Sequence, residues 1–206
     1  MIDLERRVYR AYLHTYHSEL YFPMAQEVNR DLLKAARLGT IDGDKGVRTL
    51  AAEVLKQQGP SGFDFAEKPF FRTCLIESIW NNHEPAWRIL LEKGANACTA
   101  DADSMTPLHI AAMYGHLSAT EALVDKGAVL DALNSDGSTP LHLAVSNGRR
   151  EVVTLLVSRG CNVNCLDRDN TSAANLAAFR GDRDLAEWLF RNGCTKNRLG
   201  IEKADD

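Results

Sequence analysis

No stretch of the 206-residue chain holds anything near the roughly 20 consecutive apolar residues that a helical bilayer span demands. The opening residues, Met1-Ile2-Asp3-Leu4-Glu5-Arg6, lack the apolar core of a secretory signal. The expectation is therefore an intracellular chain, in the cytoplasm or the nucleus, without a membrane partner. Cysteine is present only as five residues (Cys74, Cys98, Cys161, Cys165, Cys194), an odd number with no C-x-x-C pair. That excludes a disulfide framework and a zinc knuckle as the organising element and points to reduced thiols.

Catalytic signatures are missing too. The chain has no G-x-x-x-x-G-K-[ST] loop to cradle phosphates, no G-x-G-x-x-G, no H-E-x-x-H helix and no G-x-S-x-G elbow. No catalytic residue, metal or cofactor is expected. Net charge is −4 and the pI about 5.9, far from the basic footprint of a duplex binder. The basic residues of the last third are interrupted by Asp167, Asp169, Asp182 and Asp184, so nucleic acid is not an expected partner. Charge is nevertheless uneven: residues 70–148 hold four Lys or Arg against nine Asp or Glu, and residues 149–198 hold nine against six. In a linear array this asymmetry would orient a partner.

What the chain does have is a period. Glycine returns every 33 residues at Gly115, Gly148 and Gly181, and again at Gly94, Gly127, Gly160 and Gly193. Thr106-Pro107-Leu108-His109 and Thr139-Pro140-Leu141-His142 fall at one phase of it. Regularity of this kind belongs to a stacked array of supersecondary units. Within the block from Asp101 to Leu133, Thr106 is placed to cap a helix and Pro107 to occupy its first position, where its missing N–H costs nothing. Leu108, Ile110, Ala111 and Ala112 form an apolar face, and Gly115 ends the helix. A second helix from about Leu117 to Lys126 carries Leu117, Ala119, Ala122, Leu123 and Val124 and closes at Gly127. Asp136-Gly137 then favours a tight turn before the next cap, Thr139.

The layout T-P-L-H-x-A-A-x-x-G, followed by a second helix and a G-A-x-x-[DN] turn, resembles the ankyrin repeat. The resemblance implies an all-α solenoid of stacked helix-turn-helix units with short β-hairpin-like turns. Four repeats are expected at 70–102, 103–135, 136–168 and 169–201, followed by a short tail, 202–206. The outer ones are eroded: Thr73-Cys74-Leu75-Ile76 replaces T-P-L-H in the first, Glu77 stands where Ile110 and Leu143 stand, and Asn82 replaces the helix-ending glycine. Ser172-Ala173-Ala174-Asn175 fills the same slot in the last. Residues 30–69 read as a divergent repeat, since Asn29 to Gly39 repeats the A-A-x-x-G signature and Leu50 to Gly59 resembles its second helix. About eight extra residues after Gly39 and a long connection, Pro60 to Pro69, break the period there. Residues 1–29 lie outside it. Val8, Tyr12, Tyr16, Tyr9, Leu13 and Leu20 recur at helical spacing and predict an extra amphipathic helix ending before Pro23, serving as a cap or as a contact for another chain.

The period also sorts the reactive side chains. In the family, the histidine of T-P-L-H ties the helix start to neighbouring backbone, a role that the resemblance carries to His109 and His142 only. His83 and His116 share another phase and are expected to be exposed or capping. Cys161 and Cys194 fall where small residues such as Ala128 occur and read as packing residues. Trp87 and Trp188 fall on core phases of second helices. Asn164 resembles a turn asparagine that oxygen-dependent hydroxylases modify in this family, although the acidic residue often found two places earlier is absent and a structural role in the turn is the alternative.

What remains free for recognition is the concave face made of turns and first helices. Ahead of each cap lie Phe70, Phe71 and Arg72; Ala102, Asp103 and Met105; Ser135, Asp136 and Ser138; Arg168, Asp169 and Thr171. Ahead of each helix-ending position lie Trp80 and Asn81; Met113 and Tyr114; Ser146 and Asn147; Phe179 and Arg180. Trp80, Met113 and Phe179 share one phase with Ser146 as its polar member, and aromatic, methionine and arginine side chains are enriched in interface cores. The partner-binding residues expected are Trp80, Asp103, Met105, Met113, Tyr114, Ser146, Arg168, Phe179 and Arg180. They would serve a non-catalytic adaptor, scaffold or inhibitor that is monomeric by itself and binds a protein. An assembly chaperone holding one partner is the alternative. An enzyme would require a site hidden near residues 40–83 in which His83, Cys74 and a carboxylate converge.

Overall fold

The structure, a computed structural model, describes residues 21–43, 46–67 and 70–195. The helix expected over the first residues therefore lies almost wholly outside the described residues. Helix α1 (Tyr21–Leu38) carries Pro23 in its first turn and runs across residues 29 and 30. A proline obstructs the turn that precedes it, not the hydrogen bonds of the residues that follow. Leu32, Leu33, Ala35 and Ala36 anchor the downstream part in the core.

The chain is an all-α solenoid of helix pairs: α1 with α2 (Val47–Gln58), α3 (Cys74–Trp80) with α4 (Glu84–Glu92), α5 (Pro107–Tyr114) with α6 (Leu117–Asp125), α7 (Pro140–Ser146) with α8 (Arg150–Ser158), and α9 (Ala173–Phe179) with α10 (Arg183–Arg191). A single 3-10 turn (Pro60–Asp64) follows α2. Two short strands, β1 (Ala66–Glu67) and β2 (Arg72–Thr73), then pair antiparallel ahead of α3. First helices stack on first helices from α1 to α9, and second helices on second helices from α2 to α8.

Local sequence sets the starts of α3, α5, α7 and α9. Thr106 and Thr139 accept the backbone N–H of His109 and His142, and Pro107 and Pro140 follow at the first helical position. Ser172 and Thr73 do the same for Asn175 and Ile76. Packing then follows the period. Leu90, Leu123, Leu156 and Leu189, spaced by 33, are fully buried along the second helices. Each is worth about 1.5–3 kcal/mol of burial. Their carbonyls accept the N–H of Ala95, Ala128, Cys161 and Cys194, which closes each second helix. Cys161 and Cys194 are buried in the slots of those alanines.

The eroded first repeat is explained by what it meets. Glu77 is buried and takes Arg37 of α1 at 3.0 Å, where later repeats put Ile110 and Leu143 against another repeat. Asn82 adopts φ 55°, the left-handed conformation that glycine supplies elsewhere. Trp87 is buried as its phase predicts, but Trp188 is not. Helix α10 leans on its own partner α9, and its separation from α8 leaves an open cleft of about 460 Å³ that Trp188 lines together with Arg150, Thr154, Leu185 and Arg191.

Gly115 and Gly181 occupy the same place in two repeats, with φ 80° and 79°. A Cβ on Gly115 would lie 2.8 Å from Cδ of Arg149, whereas one on Gly181 would meet nothing within 4 Å. Gly181→Ala is expected to cost only the left-handed backbone term, about 1–2 kcal/mol. Gly115→Ala should cost that and more, because Arg149 must leave its place. Thermal unfolding of the two variants, with the larger fall at position 115, checks this.

Candidate functional site

The turns form a continuous rim. Asp101 Oδ1 accepts the N–H of Asp103 and Met105, Asn134 Oδ1 those of Asp136 and Ser138, and Asp167 Oδ1 those of Asp169 and Thr171. Each turn reverses at a left-handed residue, Phe71, Ser104, Gly137 or Asn170. Neighbouring tips are joined by backbone: Ala102 N–H donates to Phe70 O at 2.9 Å, Ser135 N–H to Asp103 O at 2.9 Å, and Arg168 N–H to Asp136 O at 3.1 Å. This ladder sets Phe70, Asp103, Asp136 and Asp169 in a row, all exposed.

Behind the rim, the first helices bring aromatic and cationic groups together over the first two repeats. Trp80 and Tyr114, both half-buried, meet edge to face with ring centroids 5.2 Å apart. Tyr114 stacks on His116 at 5.8 Å. The Arg72 guanidinium lies 3.7 Å from the Trp80 centroid and 4.9 Å from that of Phe70. Such contacts favour the cation over the ring face. Phe70 and Phe71 are 54% and 44% exposed beside them.

The expected stripe is thus only partly assembled. Trp80 pairs with Tyr114, the neighbour of its phase-mate Met113. Phe179, 65% exposed, stands two repeats away beyond the exposed Ser146. Met113 is half-buried and its carbonyl accepts Arg149 Nε at 3.1 Å. Arg180 turns back to the Ser146 carbonyl. Met105 is half-buried, its sulfur accepting from Asn134 Nδ2 at 3.4 Å. Asp103 and Arg168 stay exposed on the rim.

His116 departs from its expected role. It occupies the cap position of α6 without a side-chain cap bond, its Nε2 is buried without a hydrogen-bond partner among the described residues, and burial followed by the Arg149 charge lowers its pKa. Arg72 was legible only as a member of the pre-cap set. The signal for its special place is that an arginine stands where the later repeats carry Met105, Ser138 and Thr171.

The residues that an enzyme near 40–83 would need do not converge. The Cys74 thiol donates to Phe63 O at 3.5 Å, and burial pushes its pKa up to about 12, so it is no thiolate nucleophile. His83 Nε2 meets the Arg37 carbonyl at 3.0 Å, and the Glu77 carboxylate is taken by Arg37. Among the described residues no three His, Cys, Asp or Glu side chains are grouped to hold a metal ion. No described helix is long and apolar enough to cross a membrane. Asn164 has structural work in its turn: Nδ2 donates to Gly193 O at 3.1 Å while Oδ1 accepts the N–H and hydroxyl of Thr195 at 2.7 and 2.9 Å.

His109 and His142 join successive repeats. Thr106 N–H donates to His109 Nδ1 at 3.2 Å, which leaves Nε2–H to donate to Ser138 O, at 3.0 Å, in the next repeat. His142 repeats the arrangement with Thr139 N–H at 3.2 Å and Thr171 O at 3.2 Å.

A family model described as ankyrin repeats (3 copies) matches the chain over residues 32–134, 80–167 and 130–199.

Burial holds His109 and His142 below the ordinary histidine value of 6.5. Unfolded chain takes up these protons near that value and folded chain only at lower pH. Stability is therefore full above about pH 6.5 and falls as pH drops through it. The melting temperature is expected to decline between about pH 7 and pH 5. A His109→Asn, His142→Asn double variant, copying Asn175 at the same phase, should start lower at neutral pH and lose less on acidification. Calorimetry across the pH range checks the sign.

Proposed function

The chain belongs to the ankyrin-repeat family, and from that footing we propose that it is a non-catalytic adaptor, scaffold or inhibitor that holds a protein partner on the concave face of its repeats. Ankyrin repeats are generally protein–protein interaction modules and typically do no chemistry. Within this reading the irregular segment 30–69 leads into four repeats from 70 to 201, and the chain is a monomer that meets its partner in the cytoplasm or nucleus.

One observation carries the placement. Trp80 and Tyr114 form an edge-to-face pair that is half-exposed at the free phase, beside the exposed Phe70 and Phe71. Rigid aromatic side chains offer large contact area at low entropic cost and dominate binding hot spots. Both helix layers supply buried leucines, Leu75, Leu108 and Leu141 on the first helices and Leu90, Leu123, Leu156 and Leu189 on the second, while Trp80 and Tyr114 stay only half-buried. Asp103, Met105, Met113, Ser146, Arg168, Phe179 and Arg180 extend the same face toward the C-terminal repeats.

Tyr114→Ala is expected to weaken a partner recovered from native extract by about 30-fold, as for a hot-spot residue worth about 2 kcal/mol. Ser146→Ala should change binding less than twofold, on the order of a neutral rim contact. Isothermal titration gives the affinities, and circular dichroism establishes that both variants are folded. Unchanged affinity for a folded Tyr114→Ala chain rejects the placement.

A further inference from the structure

Arginines on this face are mostly occupied. Arg149 is bound to the Met113 carbonyl, Arg180 to the Ser146 carbonyl and Arg37 to Glu77. Arg72 differs. Its side chain is only 18% exposed, yet no hydrogen-bond acceptor among the described residues meets its guanidinium, and Nε is buried without a partner. Its ion-pair partner, Asp101, brings Oδ2 to 3.8 Å from Nε, near enough to balance charge but beyond hydrogen-bond distance. Asp101 Oδ1 is already committed to the backbone N–H groups of Asp103 and Met105.

Trp80 and Phe70 hold this guanidinium against their rings. A planar fork fixed in that way has little rotamer freedom left to lose, and it matches a carboxylate through two parallel N–H···O bonds. With Nε closed off on the Asp101 side, the terminal nitrogens are the donors left to reach outward.

We infer that Arg72 is the receptor for a single carboxylate of the protein partner, an Asp or Glu side chain whose apolar neighbour rests on Phe70, Trp80 and Tyr114. This rests on the reading that the concave face binds protein, and it names what the partner must present. The surrounding charge selects one carboxylate over a polyanion: Asp103, Asp136 and Asp169 stand exposed along the rim, and Asp101 lies beneath, so a chain of phosphates would be repelled. The apolar neighbour is required because the exposed rings around Arg72 would otherwise stay wet.

The probe is a random peptide library displayed on phage and selected against the full chain, Arg72→Lys, Arg72→Gln and Tyr114→Ala, each checked for folding by circular dichroism. The wild-type chain is expected to enrich peptides with an acidic residue beside a bulky apolar one. For a synthetic peptide of that type, changing Asp to Asn or Glu to Gln should weaken binding about tenfold to a hundredfold, the range of a charge-assisted hydrogen-bonded pair. Arg72→Lys, which keeps the charge and the fold but not the fork, should abolish most of that discrimination. Enrichment without an acidic residue, or an amide peptide that binds as well as its parent, overturns the inference. So does acid preference undiminished in both Arg72 variants. Peptides that lack the acid but are lost in Tyr114→Ala leave the docking face standing and remove only the carboxylate. Absence of any selection dependent on Arg72 or Tyr114 removes both.

Discussion

Helices of seven to nine residues, which make up the chain from α3 to α10, cannot hold themselves together in water. Each pair has to bury its apolar face against the next, and everything else in the molecule depends on that mutual cover. The 33-residue spacing of Leu90, Leu123, Leu156 and Leu189 is this constraint written in sequence. Where a neighbour is irregular the side chain changes, as with Glu77 against Arg37. Where the outer second helix draws away from its neighbour, Trp188 stays partly open.

Stacking consumes the residues that would otherwise suggest chemistry. His109 and His142 use both ring nitrogens in tying one helix start to the turn of the next repeat. Arg149 lies over Gly115 and donates to the carbonyl of Met113, and Arg180 does the same at Gly148 and Ser146. Cys161 and Cys194 fill the places of alanines, and Cys74 is buried beneath the Phe63 carbonyl. The face left over is defined by subtraction, and its richest part is the group of Phe70, Arg72, Trp80 and Tyr114 near the junction of the irregular segment with the regular array.

The order of elements, the caps at Thr106 and Thr139, the turn at Asp136-Gly137 and the burial of Trp87 were all legible because each follows from local chemistry repeated at one spacing. Phase also puts Trp188 in the core, but phase assigns only a face, and the distance between α8 and α10 decides whether that face is covered. His116 shared a phase with His83, yet one meets the Arg37 carbonyl and the other stacks on Tyr114.

By itself the sequence determined the period, and with it the fold, the family and the residues reserved for stacking, because a repeated apolar pattern on marginal helices has one way to be buried. Which free side chains meet one another was decided only by tertiary structure. Phase placed Trp80 with Met113 and Phe179, but the offset between repeats brought it to Tyr114 and left Phe179 apart. Phase likewise placed Arg72 ahead of its cap, while the fold laid its guanidinium against Phe70 and Trp80, with its hydrogen-bonding edge unmatched. Periodicity fixes direction from the helix axis. Contact across repeats depends on side-chain length and on the angle between neighbours, and no one-dimensional pattern carries those.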